Sequence, residues 1–237
     1  MLSFVVPAYN EEHELPRTIR AILRATADCG SPIEIVVVDD ASTDGTSAVA
    51  MREGARVISV SKRQIAAVRN AGAKEAHGDI LFFVDADTQI APVHVTAALR
   101  AIASGYVGGG ARIQMDDAIP PFARIVARFF CAAYAGLKLG AGAFLFTTAD
   151  NFQRCGGFDE QYFAGEEIYF TQALKKLGRF IVLREPVLTS ARKVRMHSPG
   201  KLLLGSLGIV LRGPKAVKSR DRLGIWYDGK REQPPMT

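Results

Sequence analysis

The chain is poor in cysteine, with three in 237 residues. Cys29, Cys131 and Cys155 are widely spaced and form no Cys-x-x-Cys pair. That excludes a disulfide framework and a paired-cysteine zinc site, and it fits a reducing cytosol. No apolar run approaches the roughly 20 residues a spanning helix needs, and no internal repeat marks a solenoid or propeller. Hydrophobic residues make up 48% and charged residues 23%, which excludes disorder and collagen-like repeats. The first apolar run begins at Leu2, leaving no room for a signal peptide. These absences together predict a cytoplasmic α/β chain, long enough for one full core.

Acidic charge is the minority. The formal net charge is +6, and basic residues crowd the C-terminal part: Arg192, Lys193, Arg195, Lys201, Arg212, Lys215, Lys218, Arg220 and Arg222. Such a segment meets a diphosphate or an anionic lipid surface, or is simply a solvated basic face. No recognition motif accompanies the charge, so nucleic acid is not expected as a partner.

What is present is a βα alternation. Leu2–Val6, Ile33–Val38 and Ile80–Val84 read as buried parallel strands. Leu15, Ile19, Ile22 and Leu23 recur on one helical face, with Pro16 tolerable in the first turn. Ser42 or Thr43 is placed to cap the helix carrying Val49. Helices are predicted from Ala66 to Ala76 and from Pro92 to Ala103, the second stopped by Gly105. A mainly parallel sheet with helices on both faces follows. After Gly105 the pattern changes. Tyr106–Met115 reads as a strand in which Gly108, Gly109 and Gly110 allow close backbone approach. Phe122–Leu139 and Glu166–Leu177 read as helices, and Phe180–Leu183 as a late strand. No linker separates two domains, so residues 1–237 are expected to form one unit: a half at 1–105, a second half at 106–213 and a tail at 214–237.

The chemistry sits at the strand ends. Asp85-Ala86-Asp87 follows Ile80–Val84 directly, where open α/β sheets bind ligands. Both carboxylates can reach one hard divalent cation, Mg²⁺ or Mn²⁺, that also bridges to phosphates. A solvated strand end is the competing reading. Pro7-Ala8-Tyr9-Asn10-Glu11-Glu12 follows the first strand, and Asp39-Asp40-Ala41-Ser42-Thr43-Asp44-Gly45-Thr46 the second. Arg69-Asn70-Ala71-Gly72 lies in the crossover before Asp85.

As a set, VVPAYNEE, VVVDDASTDGT, RNAG and VDAD resemble the inverting glycosyltransferases of family 2, which have a GT-A fold with a Rossmann-like sheet. Gly156-Gly157-Phe158-Asp159-Glu160 followed by Gly165-Glu166-Glu167 is similar to the family's acceptor-side pattern. The resemblance covers roughly residues 1–185. It implies a metal-dependent transfer of a sugar from a UDP-sugar or GDP-sugar to a glycan, lipid-linked or small-molecule acceptor. It places Pro7, Ala8 and Tyr9 beside the base, Asp40 as its hydrogen-bond partner, and Glu11 near the ribose or base. Asp39 then fixes its loop, and Asp44 is a turn residue. Asp85, Ala86 and Asp87 face the diphosphate and the metal, with His197 or Gln89 able to complete the shell. Arg63 approaches the diphosphate, while Arg69 either joins it or braces the Asp85 loop. Gln64 stands where the family often has glycine. The catalytic base falls on Glu167, with Glu166 answering the helix dipole and Asp150 as another carboxylate within the acceptor half. Another nucleotide-sugar enzyme, such as a nucleotidyltransferase, is disfavoured because the glycine-rich basic loop after the first strand is missing. A non-catalytic binding module is disfavoured by the intact carboxylates. Membrane contact is expected to be peripheral at most.

Overall fold

The computed structural model describes residues 1–116, 136, 139–192 and 218. Eight strands form one sheet in the order β3-β2-β1-β4-β7-β6-β8-β5. They are β1 Leu2–Ala8, β2 Ile33–Asp40, β3 Arg56–Val60, β4 Ile80–Val84, β5 Thr88–Gln89, β6 Gly108–Met115, β7 Phe144–Thr148 and β8 Phe180–Thr189. The helices are α1 Leu15–Thr26, α2 Thr46–Arg52, α3 Ile65–Glu75, α4 Pro92–Ala103, α5 Ala149–Arg154 and α6 Glu166–Leu177.

The sheet is parallel only in part. β3, β2, β1 and β4 run parallel. Then β7 pairs antiparallel with both β4 and β6. β8 returns parallel to β6 and carries β5 antiparallel at its edge. The parallel half arises from βα crossovers, whereas the short connection from β7 into α5 builds no such unit. All of β1 is buried, as a strand covered by helices on both faces requires. One core face packs Phe4 on Phe82, ring centroids 4.7 Å apart, with Ile19, Ile22 and Phe146 around them. The other packs Val5, Phe83, Phe158 and Phe170. There the Phe158 and Phe170 rings stack at 4.2 Å, and Phe83 meets Phe158 edge-on at 4.9 Å. This cluster joins α6 to the back of β4 and so sets where the first turn of α6 points.

Several local features shape the sheet and the loops beside it. A Cβ on Gly109 would lie 2.4 Å from the Phe146 ring and 2.6 Å from the Ile181 carbonyl, so only glycine allows β6 between β7 and β8. β8 extends six residues past its expected end. Its register slips opposite Ala111 and Arg112, skipping Arg184 and Glu185 before pairing Pro186 with Arg112. The bulge takes up Arg184 and Glu185, and Pro186 resumes the pairing. α2 starts at Thr46 with Gly45 as its N-cap, in place of a Ser42 or Thr43 cap. Ser42 Oγ instead accepts from the Asn10 amide at 2.9 Å, tying the loop after β2 to the loop after β1. Leu23 is exposed, so the apolar face of α1 is carried by Leu15, Ile19 and Ile22. The helix expected over Phe122–Leu139 lies almost entirely outside the described residues.

Candidate active site

The C-terminal ends of β1, β2 and β4, the start of α3 and the first turn of α6 surround a cavity of about 390 Å³. Pro7, Ala8, Tyr9, Glu11, Asp40, Arg63, Arg69, Asp85, Ala86, Asp87, Glu166 and Glu167 all line it. The sequence-expected residues therefore converge, although up to 160 positions separate them along the chain. His197 lies outside the described residues. Asp150 stays apart, solvent-exposed on α5 and paired with Arg154 at 3.3 Å. Gln89 sits in β5 opposite Leu188, away from the cavity lining.

Each end of the cavity is built by short-range fixing. Asp39 accepts from the Ser42 amide at 3.0 Å and from the Ser47 hydroxyl, and so shapes the loop after β2. Asp40 Oδ1 accepts from the Lys62 and Arg63 amides at 2.6 and 3.0 Å. That grip holds Arg63 with φ +52°, a region non-glycine residues rarely occupy. Its guanidinium lies 3.7 Å from the centre of the Tyr9 ring, a cation–π contact at the mouth of the cavity. Asp44 acts as a turn residue, accepting from the Thr46 amide at 3.0 Å.

The loop after β4 is pinned on three sides. Thr18 Oγ1 donates to the Ala86 carbonyl at 2.8 Å, and the Asp85 amide donates to the Ala143 carbonyl at 3.2 Å. Two buried arginines then divide the carboxylates between them. Arg69 Nη2 donates to Asp85 Oδ1 at 2.8 Å, and its Nη1 to Glu166 Oε1 at 2.5 Å. Nη2 also donates to the Gly142 carbonyl at 3.0 Å. Of the two roles open to Arg69, this geometry is that of a brace. Burial works against its charge, but Asp85 and Glu166 more than compensate, so the guanidinium stays protonated. Arg192, from the end of β8, forks onto both oxygens of Glu11 at 2.5 Å each. It also lies 3.1 Å from Asp87 Oδ2. This residue belongs to no motif, and as one of the basic C-terminal run it was expected to meet a diphosphate or an anionic lipid surface, or to be simply a solvated basic face. The structure corrects the surface readings, since Arg192 is only 8% exposed and lines the cavity.

Glu166 and Glu167 open α6, whose N-terminus favours acidic side chains. Gly165 precedes them at φ +71°, a turn that brings the helix end over the cavity. Burial raises the Glu166 carboxyl above the usual range, with Arg69 opposing. Burial and the neighbouring Glu166 push Glu167 up to about 8, near the pH at which a general base works best. Gln64 and Asn70 hold the loop that leads into this helix. The Gln64 amide donates to the Glu160 carbonyl, and Asn70 Nδ2 to the Phe158 carbonyl at 2.8 Å. Gln64, the departure from the family's glycine, thus ties the α3 crossover to the approach to α6.

Asp85 and Asp87 present oxygen donors of the kind hard divalent cations take. Among the described residues no third His, Cys, Asp or Glu joins them. The donor set fits a cation that fills its other positions with diphosphate oxygens and water.

The model for the family described as "Glycosyl transferase family 2" matches residues 3–154. The chain belongs to glycosyl transferase family 2. An undecaprenyl-phosphate 4-deoxy-4-formamido-L-arabinose transferase from Pseudomonas aeruginosa is 36% identical over 126 residues, 49% of this chain and 37% of that protein. Its counterpart from Pectobacterium carotovorum is 37% identical over 130 residues, 50% of this chain and 38% of that protein. The match thus spans less than two fifths of these relatives. Among solved structures, the mannosyltransferase PcManGT from Pyrobaculum calidifontis, in complex with GDP-Man and Mn²⁺, superposes with TM-score 0.64 at 21% identity. The alignment covers 80% of this chain and 56% of that one. S. aureus TarS 1-349 with UDP-GlcNAc gives TM-score 0.62 at 20% identity, over 81% of this chain and 58% of that one. These likenesses establish the GT-A fold.

Proposed function

We propose that this glycosyltransferase moves a sugar, with inversion, from a UDP-sugar or GDP-sugar to an acceptor hydroxyl. One observation carries the reading: Asp85, Asp87 and Glu167, the last a carboxylate with a raised pKa, line a single cavity. The base would lie between Tyr9 and Asp40, whose carboxylate is an acceptor suited to an imide N–H. Arg63, over Tyr9, is within reach of the nucleotide. Asp85 and Asp87 would hold Mg²⁺ or Mn²⁺, which supplies charge neutralisation for the departing diphosphate. Glu167 takes the proton of the acceptor hydroxyl. The acceptor oxygen forms its bond to the anomeric carbon on the face opposite the diphosphate, and the bond to the diphosphate oxygen breaks. Residues 1–105 form the nucleotide-sugar half in this reading, and residues 106–213 the acceptor half.

A second reading concerns the acceptor alone. The relatives named above are undecaprenyl-phosphate transferases, and a phosphate acceptor already carries its negative charge. Such a transfer needs no base. No described helix is long and apolar enough to cross a membrane, and contact with a lipid-borne acceptor would be peripheral, through the basic C-terminal residues. Sedimentation with anionic vesicles at low and high salt tests that contact, and binding that survives high salt would contradict it.

The function is tested by a donor screen. UDP-sugars and GDP-sugars are incubated with the chain, with Mn²⁺ or with excess chelator, and released nucleoside diphosphate is measured. Metal-dependent release from one donor class is expected; release from none would refute the reading.

A further inference from the structure

Both oxygens of Asp87 are met from the end of β8. Thr189 Oγ1 lies 3.4 Å from Asp87 Oδ1, and Arg192 Nη2 lies 3.1 Å from Asp87 Oδ2. The Ser190 amide donates to the Asp87 carbonyl at 3.2 Å. Arg192 is itself oriented by Glu11, which takes its fork through both oxygens at 2.5 Å. Glu11 is 5% exposed, and its amide is fixed by Thr46 Oγ1 at 2.7 Å. A planar guanidinium fits this role because it presents parallel N–H groups to one carboxylate and a further N–H to a second. The ends of β1, β4 and β8 therefore meet at one cation.

We infer that Arg192 is a positioning residue that aims the Asp87 carboxylate into the cavity, with Glu11 as its anchor. The inference rests on the proposed function, in which Asp87 receives a cation bridged to a nucleoside diphosphate. It assigns to Arg192 and Glu11 the work of orienting a ligand for that cation rather than contacting the sugar donor. It also makes the end of β8, more than 100 residues from Asp87 in sequence, part of the donor site.

Free Mn²⁺ counted by electron paramagnetic resonance, with UDP and separately with GDP, tests this without any turnover. Arg192→Gln should weaken Mn²⁺–nucleotide binding by about 10–100-fold, the usual cost of losing a group that orients a metal-binding side chain. Arg192→Lys keeps the charge but not the fork, and should recover only part of the loss. Glu11→Gln should weaken binding in the same direction by less. Arg56→Gln, which breaks the Arg56–Glu34 pair at the other end of the sheet, should leave binding unchanged and so controls for stability alone. Circular dichroism reports folding. If Arg192→Gln does not fold, Arg192→Lys and Glu11→Gln carry the test. Folded variants that bind like the wild type would overturn the inference alone. Tighter binding would overturn it too, by making Arg192 a competitor of the cation. A wild type that binds Mn²⁺ with neither nucleotide would overturn the proposed function and this inference together.

Discussion

Arg69 donates to Glu166 at 2.5 Å inside the protein, where the arginine side chain is 2% and the glutamate 6% exposed. The pair separates the roles of two adjacent carboxylates. Glu166 is committed to a cation that also holds Asp85, while Glu167 lines the cavity with a pKa near 8. Glu166 fixes the helix end to the strand end, and the proposed proton transfer falls to Glu167.

Breaking that connection should cost stability first. Arg69→Met leaves Asp85 and Glu166 without their shared partner, and loss of one member of a buried ion pair costs about 3–5 kcal/mol. Urea denaturation measures it. A variant within about 0.5 kcal/mol of wild type, the range of ordinary surface changes, would show that Arg69 does not brace the site.

The pKa of Glu167 predicts two pH dependences with opposite sense. A base must be deprotonated, so turnover should rise from pH 6 and level off above about 8. Stability moves the other way. A carboxyl whose folded pKa is raised contributes stability that is fully present below its unfolded pKa, near 4.3. It is lost as pH rises towards 8, because the folded chain must then ionise a half-buried acid beside Glu166. Glu167→Gln should therefore melt above wild type at pH 8.5, with the gap closing towards pH 4.5. A melting difference independent of pH would contradict the shift.

Excess chelator should abolish turnover, and added Mn²⁺ or Mg²⁺ should restore it. Asp87→Asn should retain the fold and lose most activity at every metal concentration. Full turnover in chelator would remove the cation from the account.

Much of this site was legible in sequence because its residues sit directly beside strong local patterns. Asp85 and Asp87 follow five apolar residues, and Glu166 and Glu167 open a helix whose bounds the pattern and flanking glycines predicted in full. β7 and α5 were not read, although Gly140 and Gly142 stand as a turn signal just before Phe144–Thr148. β8 was read short because Arg184-Glu185-Pro186 resembles a stop, and only its pairing with β6 shows a bulge. Arg192 was legible only as one basic residue among many. Its role depends on β8 returning parallel to β6 and ending beside β1 and β4, a long-range relationship that no local pattern carries. Arg69 remained divided between two roles for the same reason, since its partners lie 16 and 97 residues away.

The central claim is that Glu167 accepts the acceptor's proton while the donor is held elsewhere. Glu167→Gln keeps the size and hydrogen-bonding capacity of the side chain but removes its basicity. Turnover at saturating donor, measured alongside donor affinity for this variant and for wild type, tests the claim most directly. The account predicts a loss of about 10²–10⁴-fold in turnover with donor affinity nearly unchanged. Near-normal turnover in Glu167→Gln would contradict it, and would point to an acceptor, such as a phosphate, that arrives already ionised.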